Sequence, residues 1–523
     1  MLELEQFCER FPKYALFASH WEPKELKPVV LPAMDLEKIE VLYLFDRAVA
    51  YEQLKDWLHE KSERRLVLLE PKPGTLAALF HQETTLFADT QVDIELSPFD
   101  HHELVERYPV KRIEVIGNQK LRLALLRKTT LAHALFTDRL HGYQPFENFV
   151  RNVPHLKHAF YANGLKDAFD GIPAIVCGAG PSLQTAIPLL KKLEGKALVI
   201  AGGSAVAALS AQAILPHFGM AIDPNLEEYR RFRNSFAFEC PLLFSTRLFP
   251  GVFRTCNGPF GYFRSGIGGV PELWMEEELG LTDPLLGENL SEESTSVTPI
   301  CLAFAQHVGC KTIILAGVDL AYTGGKRYVD GISDEKEQFQ KIEEEKSAAD
   351  RILRRKDKRG KFVNTAVRWV MEAAAIAHFA KKHPEIRWIN ATEGGLRIDG
   401  LEEMELKNIP FLETWDLREM VKEQIALHPM PENKKDLLGE LRESLERMIG
   451  QLEIMANEKS GSKALAEFEM KEELVASILF YDMEKVLQQS RQDKWPLYLK
   501  IARKYFSILQ PRTLAACSGA SGH

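Results

Sequence analysis

The chain has 523 residues, 45% of them hydrophobic and 27% charged, and a net charge of −8. That length accommodates roughly three domains of ordinary size, and that apolar share fills a globular core. The acidic balance excludes a general nucleic-acid footprint, and no apolar run approaches the roughly 20 residues of a membrane span, so neither nucleic acid nor a membrane is expected as a partner. The seven cysteines are scattered with no CxxC spacing. The start, Met1 to Phe11, is acidic and amphipathic where a signal sequence would be apolar. Both features predict reduced thiols and a cytoplasmic location. No His/Cys cluster has the spacing of a zinc site.

Residues 1–145 read as a first α/β domain. Strands are expected at Ile39–Phe45, Arg65–Glu70, Gln91–Leu96 and Arg112–Ile116, with helices at Tyr51–Glu60, Leu76–Phe80 and Leu121–Leu140 between and after them. Glycine-rich phosphate turns are missing here, which favours a scaffold or docking role. Asn148 and Asn152, four apart, lead into the next domain and are expected to satisfy local backbone groups.

Residues 146–405 form the central domain. Ala174–Cys177 is a short buried strand. Gly178, Ala179 and Gly180 turn the backbone sharply, and Pro181 and Ser182 open a helix with Leu183, Ile187 and Leu190 on its apolar face. Ala197–Ala201 repeats the strand, and Gly202, Gly203 and Ser204 repeat the turn. Phe218–Ile222 is a third strand that stops at Asp223 and Pro224. Strand, glycine turn and helix in succession place backbone N–H groups at the carboxyl edge of a parallel sheet, where phosphate or carboxylate binds. Leu183 stands where the dinucleotide fingerprint needs a third glycine, and no Gly-Lys-Ser/Thr follows, so neither that fingerprint nor a P-loop is present.

Further along, Leu242–Ser245 is a strand and Asn257–Gly269 reads as a loop. Ser294, Thr295, Ser296 and Thr298 surround the start of an apolar helix, Ile300–His307. Thr312–Gly317 is a buried strand that carries Asp319 to the sheet edge, followed by Tyr322, Gly324, Gly325, Lys326 and Tyr328. Asp319 at that place is either functional or the cap of a turn. Asp334–Lys361 is densely charged, acidic first and basic after. It reads as a solvated helix or a lid, with Arg354, Arg355, Lys356 and Lys358 able to screen an anion. Ile386–Ile389 is the last central strand and ends in Asn390, Ala391, Thr392, Glu393 and two glycines. Residues 406–523 repeat apolar positions at helical spacing and predict a C-terminal helical domain.

Ile175–Leu183 (IVCGAGPSL), the following GGSAVAAL and AIDP, the stretch from Thr295 to Lys326 and the stretch Trp388–Gly400 together resemble the motility accessory factor (Maf) glycosyltransferases. The same superfamily includes 6-hydroxymethylpterin diphosphokinases. The resemblance spans Asn152 to Gly400 and implies a Rossmann-like, sialyltransferase-like fold: a central doubly wound, mostly parallel α/β sheet, with the N-terminal α/β domain and the C-terminal helical domain at either end of the chain. It also implies a CMP-sugar or related nucleotide as ligand, transfer of an acidic nine-carbon sugar, and a protein acceptor of the flagellin kind. Gly178, Ala179, Gly180, Pro181, Ser182, Gly202, Gly203, Ser204, Asp223, Ser296, Tyr322, Asn390 and Thr392 are then candidates for binding. Asp319, Glu393 and Tyr328 are candidates for the chemistry. Tyr328 stands where the family commonly has a histidine, and tyrosine is a poor general base at neutral pH. His217 replaces a family aspartate but begins its strand, at the wrong end of the sheet. Two alternatives stay open: a diphosphokinase-like pyrophosphoryl transferase, in which Asp223 and Asp319 hold magnesium, and a binding module without activity. No cofactor is implied otherwise.

Overall fold

The computed structural model describes residues 2–108, 112–140, 143–233, 235–294, 296–330, 332, 348–432, 435–457, 467, 469–471, 473–479 and 494–510. The chain divides into two compact units: residues 1–136, 343–353 and 366–371 make the first, and residues 137–342, 354–365 and 372–523 the second. The helical region expected as a third domain thus belongs to the second unit.

The first unit holds four strands, β1 (Val41–Phe45), β2 (Arg65–Glu70), β3 (Val92–Leu96) and β4 (Ile113–Ile116). They pair in the order β3-β2-β1-β4, all parallel. Strand alternation sends Leu42, Leu44, Leu66 and Leu68 into one apolar cluster and Val41, Tyr43, Val67 and Leu69 into another. Both faces are therefore covered, as an all-parallel sheet requires.

The second unit is built on nine strands. Before the switch in direction come β5 (Phe160–Tyr161), β6 (Ala174–Cys177), β7 (Leu198–Gly202), β8 (Phe218–Ala221), β9 (Leu242–Phe244) and β10 (Phe260–Tyr262). After β11 (Thr312–Ala316), the chain makes a two-stranded hairpin of β12 (Ile352–Lys356) and β13 (Phe362–Ala366), of which residues 354–365 belong to this unit, then β14 (Arg387–Asn390) and β15 (Glu402–Glu403). The nine-stranded order is β15-β14-β11-β6-β7-β8-β9-β10-β5, and its neighbours pair in parallel. Its α/β character and parallel pairing are those read from the sequence. The short strands β5, β10 and β15 were not foreseen: two or three residues carry no periodicity, and only pairing with a neighbour defines them. The basic half of the charged stretch begins with a strand, β12, where a solvated helix or a lid was expected. The acidic half, residues 333–347, lies outside the described residues.

The helices Leu417–Leu427, Leu437–Ala456 and Lys494–Ile508 follow the sheet. Leu441, Leu445, Met448 and Leu452 pack with Tyr498, Ala502 and Tyr505 in the same apolar cluster as Ile175 and Val199 of the sheet. That shared core explains why the C-terminal helices do not separate from the central sheet. No described helix is long and apolar enough to cross a membrane.

Candidate functional site

Every strand of the nine-stranded sheet runs the same way, so the loops after β6, β7, β8, β11 and β14 meet along one edge. β6 and β11 lie side by side, while the chain proceeds from β6 toward β7 and from β11 toward β14. This reversal of strand order opens a crevice at the carboxyl ends, the usual ligand position in such sheets.

Asp319 is the hub of that crevice. It is 1% exposed. The Ser182 hydroxyl donates to its Oδ1 over 2.6 Å, and the Ser182 backbone N–H lies 3.2 and 3.3 Å from its two oxygens. A Cβ on Gly180 would fall 2.2 Å from Asp319 Oδ1 and 2.7 Å from the Gly317 carbonyl. A Cβ on Gly395, at φ 75°, would fall 1.9 Å from the Asp319 carbonyl. Both glycines are therefore demanded by the approach of Asp319. Leu320, the next residue, has φ 52°, a conformation bulky L residues rarely adopt and one found where surrounding structure enforces it. Burial pushes the Asp319 carboxyl up, while the Ser182 donors and the charge of Lys358 pull it back.

The first glycine turn engages the N–H groups of both its glycines internally. The Gly178 N–H bonds the Ala316 carbonyl and the Gly180 N–H bonds the Gly317 carbonyl, each at 2.8 Å. Pro181 has no N–H, and Ser182 serves Asp319. The turn thus locks β6 to β11. Ala179 adds a carbonyl that accepts from the Val329 N–H at 2.9 Å, which brings the Tyr328 loop onto the turn. Tyr328 packs partly against the core, with the Arg327 guanidinium 4.8 Å from its ring centroid. The second turn differs. Gly202 caps the helix Gly203–Ser210 without a side-chain hydrogen bond, so the first N–H groups of that helix, from Gly203 and Ser204, lack intrahelical partners and favour an anion.

The remaining predicted residues divide in the same way. Asn390 is fully buried; its amide donates to Glu403 at 3.0 Å and its oxygen accepts the Thr392 N–H at 3.2 Å. The Thr392 hydroxyl accepts the Val318 N–H at 3.1 Å. Tyr322 is buried, and its N–H bonds the Asn364 carbonyl at 2.8 Å. Ser296 caps the helix Val297–His307 and donates to Glu372 at 2.7 Å. These groups brace the strand ends. Asp223, Ser204 and Glu393 are half-buried along the same edge.

Several residues at this edge escaped the sequence reading. Glu272 is fully buried and accepts from Ser245 Oγ at 2.9 Å, from Thr246 N–H at 2.7 Å and from Gly268 N–H at 3.1 Å. Glu276, one helical turn on, takes the Tyr262 hydroxyl at 2.6 Å and the Arg264 guanidinium at 2.9 Å. Burial raises both carboxyls, and the donors oppose it. The only available signal was their spacing of four on the helix Val270–Glu278, which a solvated helix shares. Asn148 and Asn152 bind distant rather than local backbone: Asn148 donates to the Pro224 and Arg247 carbonyls, Asn152 to those of Thr246 and Leu248. His217 lies at the amino edge, where its Nδ1 accepts the Val199 N–H at 2.9 Å. A cavity of about 500 Å³ opens beside it, also bounded by Pro241, Pro259, Arg418 and Val421, away from the strand ends that gather the candidate residues.

Among known proteins, residues 147–325 match the model of the family described as 6-hydroxymethylpterin diphosphokinase MptE-like. A solved structure, the Maf glycosyltransferase from Magnetospirillum magneticum AMB-1, is similar at 15% identity and a TM-score of 0.46, with 99% of this chain and 84% of that chain covered. No curated protein matches the chain. The matched residues run from the helix before β5 through β11 and hold both glycine turns, Asp223 and Asp319, so it is this stretch of the chain that is similar to the MptE-like family.

Proposed function

We propose that the chain is a Maf-like glycosyltransferase that moves an acidic nine-carbon sugar from a CMP-linked donor to a protein acceptor of the flagellin kind. The observation that carries this reading is the crevice between β6 and β11 inside the MptE-like region, with a helix N-terminus one strand away. The donor phosphate sits at the start of the helix Gly203–Ser210, beside the half-buried Ser204. The bond from the anomeric carbon to the phosphate oxygen breaks, the acceptor hydroxyl attacks that carbon, and its proton passes to a carboxylate. Glu393 is the base in this scheme, because Asp319 is enclosed and bonded to Ser182. Tyr328 hydrogen-bonds to the leaving phosphate.

The second reading, a diphosphokinase, is favoured by the family description itself. It asks for magnesium between Asp223 and Asp319. Asp319 is poorly placed for that ion, being 1% exposed with both oxygens facing the Ser182 donors. A thermal-shift comparison separates the readings. CMP or CDP is expected to raise the melting temperature more than ATP with magnesium and a pterin. A rise with the latter set alone would overturn the transferase reading.

A further inference from the structure

The hairpin of β12 and β13 holds the most concentrated charge on an acidic chain. Residues 354–361, Arg-Arg-Lys-Asp-Lys-Arg-Gly-Lys, carry six cations and one carboxylate. That carboxylate, Asp357, is engaged in the turn, accepting the Arg359 N–H at 2.9 Å and the Lys361 N–H at 2.8 Å. Arg354, Arg355 and Lys356 are exposed. Phe362 opposite them is 61% exposed, with the Arg354 guanidinium 4.4 Å from its ring centroid.

Where the hairpin sits gives the charge a meaning. The Asn364 carbonyl accepts the Tyr322 N–H at 2.8 Å, and the Thr365 hydroxyl donates to the Leu320 carbonyl at 2.7 Å. Asp357 bridges to Leu396, next to the glycines that close on Asp319. The hairpin is thus fastened to the loops after both β11 and β14, and it forms a wall of the crevice. Lys358 turns inward: its side chain is 12% exposed, and its Nζ lies 3.1 Å from Glu403, whose other oxygen holds Asn390. Charged edge strands often serve only to prevent pairing with other chains. That role accounts for Arg354 to Lys356 on the strand, whereas Lys358 lies in the turn, with its ammonium between Glu403 and the buried Asp319 whose carboxyl it lowers.

We propose that this hairpin is the anion-binding arm of the crevice: Lys358 contacts a phosphate or carboxylate of the ligand, and Arg354, Arg355 and Lys356 draw that anion in from solution. The inference rests on the nucleotide-donor reading for the ligand's identity, although not for its charge. A CMP-linked acidic sugar offers both groups, a phosphate and a carboxylate, and each pairs with an ammonium through charge-assisted hydrogen bonds. Exposed cations at the mouth raise the local anion concentration and do so less as salt screens them.

The test uses the full-length protein and two probes, CMP and inorganic pyrophosphate, titrated by calorimetry at low and high ionic strength. Lys358→Gln is expected to weaken both probes by roughly tenfold to a hundredfold, the range for a lost hydrogen bond to a charged group. A triple change of the exposed Arg354, Arg355 and Lys356 to Ser, with folding checked by circular dichroism, is expected to weaken both and to flatten their salt dependence. Lys358→Arg should recover part of the affinity, which a merely unfolded Lys358→Gln protein would not predict. If the wild type binds CMP and the variants bind it equally well, the arm is refuted and the nucleotide reading survives. If pyrophosphate binds and is lost in the variants while CMP never binds, the arm survives and the nucleotide reading falls. Wild-type protein that binds neither probe overturns both.

Discussion

Replacing His217 with Asn should make the second unit less sensitive to acid. Nδ1 of His217 accepts the Val199 N–H, so the ring is neutral with its proton on Nε2, and Nε2 is buried without a hydrogen-bond partner. Burial drives the ring's pKa down from 6.5 to about 3. The unfolded chain therefore binds the proton more tightly than the folded one. Stability from the neutral ring is complete above 6.5 and is lost as pH falls toward 3. Each unit of difference is about 1.4 kcal/mol, so lowering the pH from about 8 to about 5 removes roughly 2 kcal/mol through this residue alone. In His217→Asn the amide oxygen can still accept from Val199, and nothing titrates. The absolute stability of the variant is expected to be lower, because its shorter side chain enlarges the small cavity that His217 shares with Leu190 and Ile214. The informative quantity is the difference in slope. Urea unfolding of both proteins across this range should show the wild type losing roughly 2 kcal/mol more than the variant. Parallel stability curves would refute the buried neutral imidazole.

Gly180→Ala should lower the melting temperature, because the added carbon meets Asp319 and the Gly317 backbone, an overpacking that typically costs about 1–3 kcal/mol. Gly450→Ala, in the helix Leu437–Ala456 with open space around it, is the control and should stabilise by about 0.5–1 kcal/mol; equal effects at the two sites would contradict the close approach. In the first unit, burial raises the Glu70 carboxyl from 4.5 to about 7. Here the folded state holds the proton more tightly, so stability is lost as pH rises from 4.5 through 7, by roughly 3 kcal/mol at about pH 8. Glu70→Gln keeps an acceptor for the Ala48 N–H and should remove that loss; denaturation curves of equal pH dependence would exclude it.

The sequence by itself determined the sheet elements long enough to carry a pattern. β1, β2, β6, β7 and β11 are runs of apolar residues that must be buried on both faces, and the turn residues after them mark where they stop. It also determined which edge collects the polar residues, because parallel strands joined by helices leave their loops on one side. What a loop does with its side chains was settled only in three dimensions. Gly178-Ala-Gly180 has the composition of a phosphate turn, yet the N–H groups of both glycines bond the end of β11. The requirement for glycine comes from Asp319, more than a hundred residues away in the chain. Lys358 and Glu403, or Glu272 and Thr246, meet through pairings with no local signature, since a hydrogen bond between distant loops leaves no period in either of them. The basic hairpin shows the same division: its charge was legible, but its strand structure and its inward lysine depend on the loops after β11 and β14, to which it is fastened. Local periodicity encodes burial of an element's face, whereas the partner of a polar group at a strand end is chosen by the register of the whole sheet.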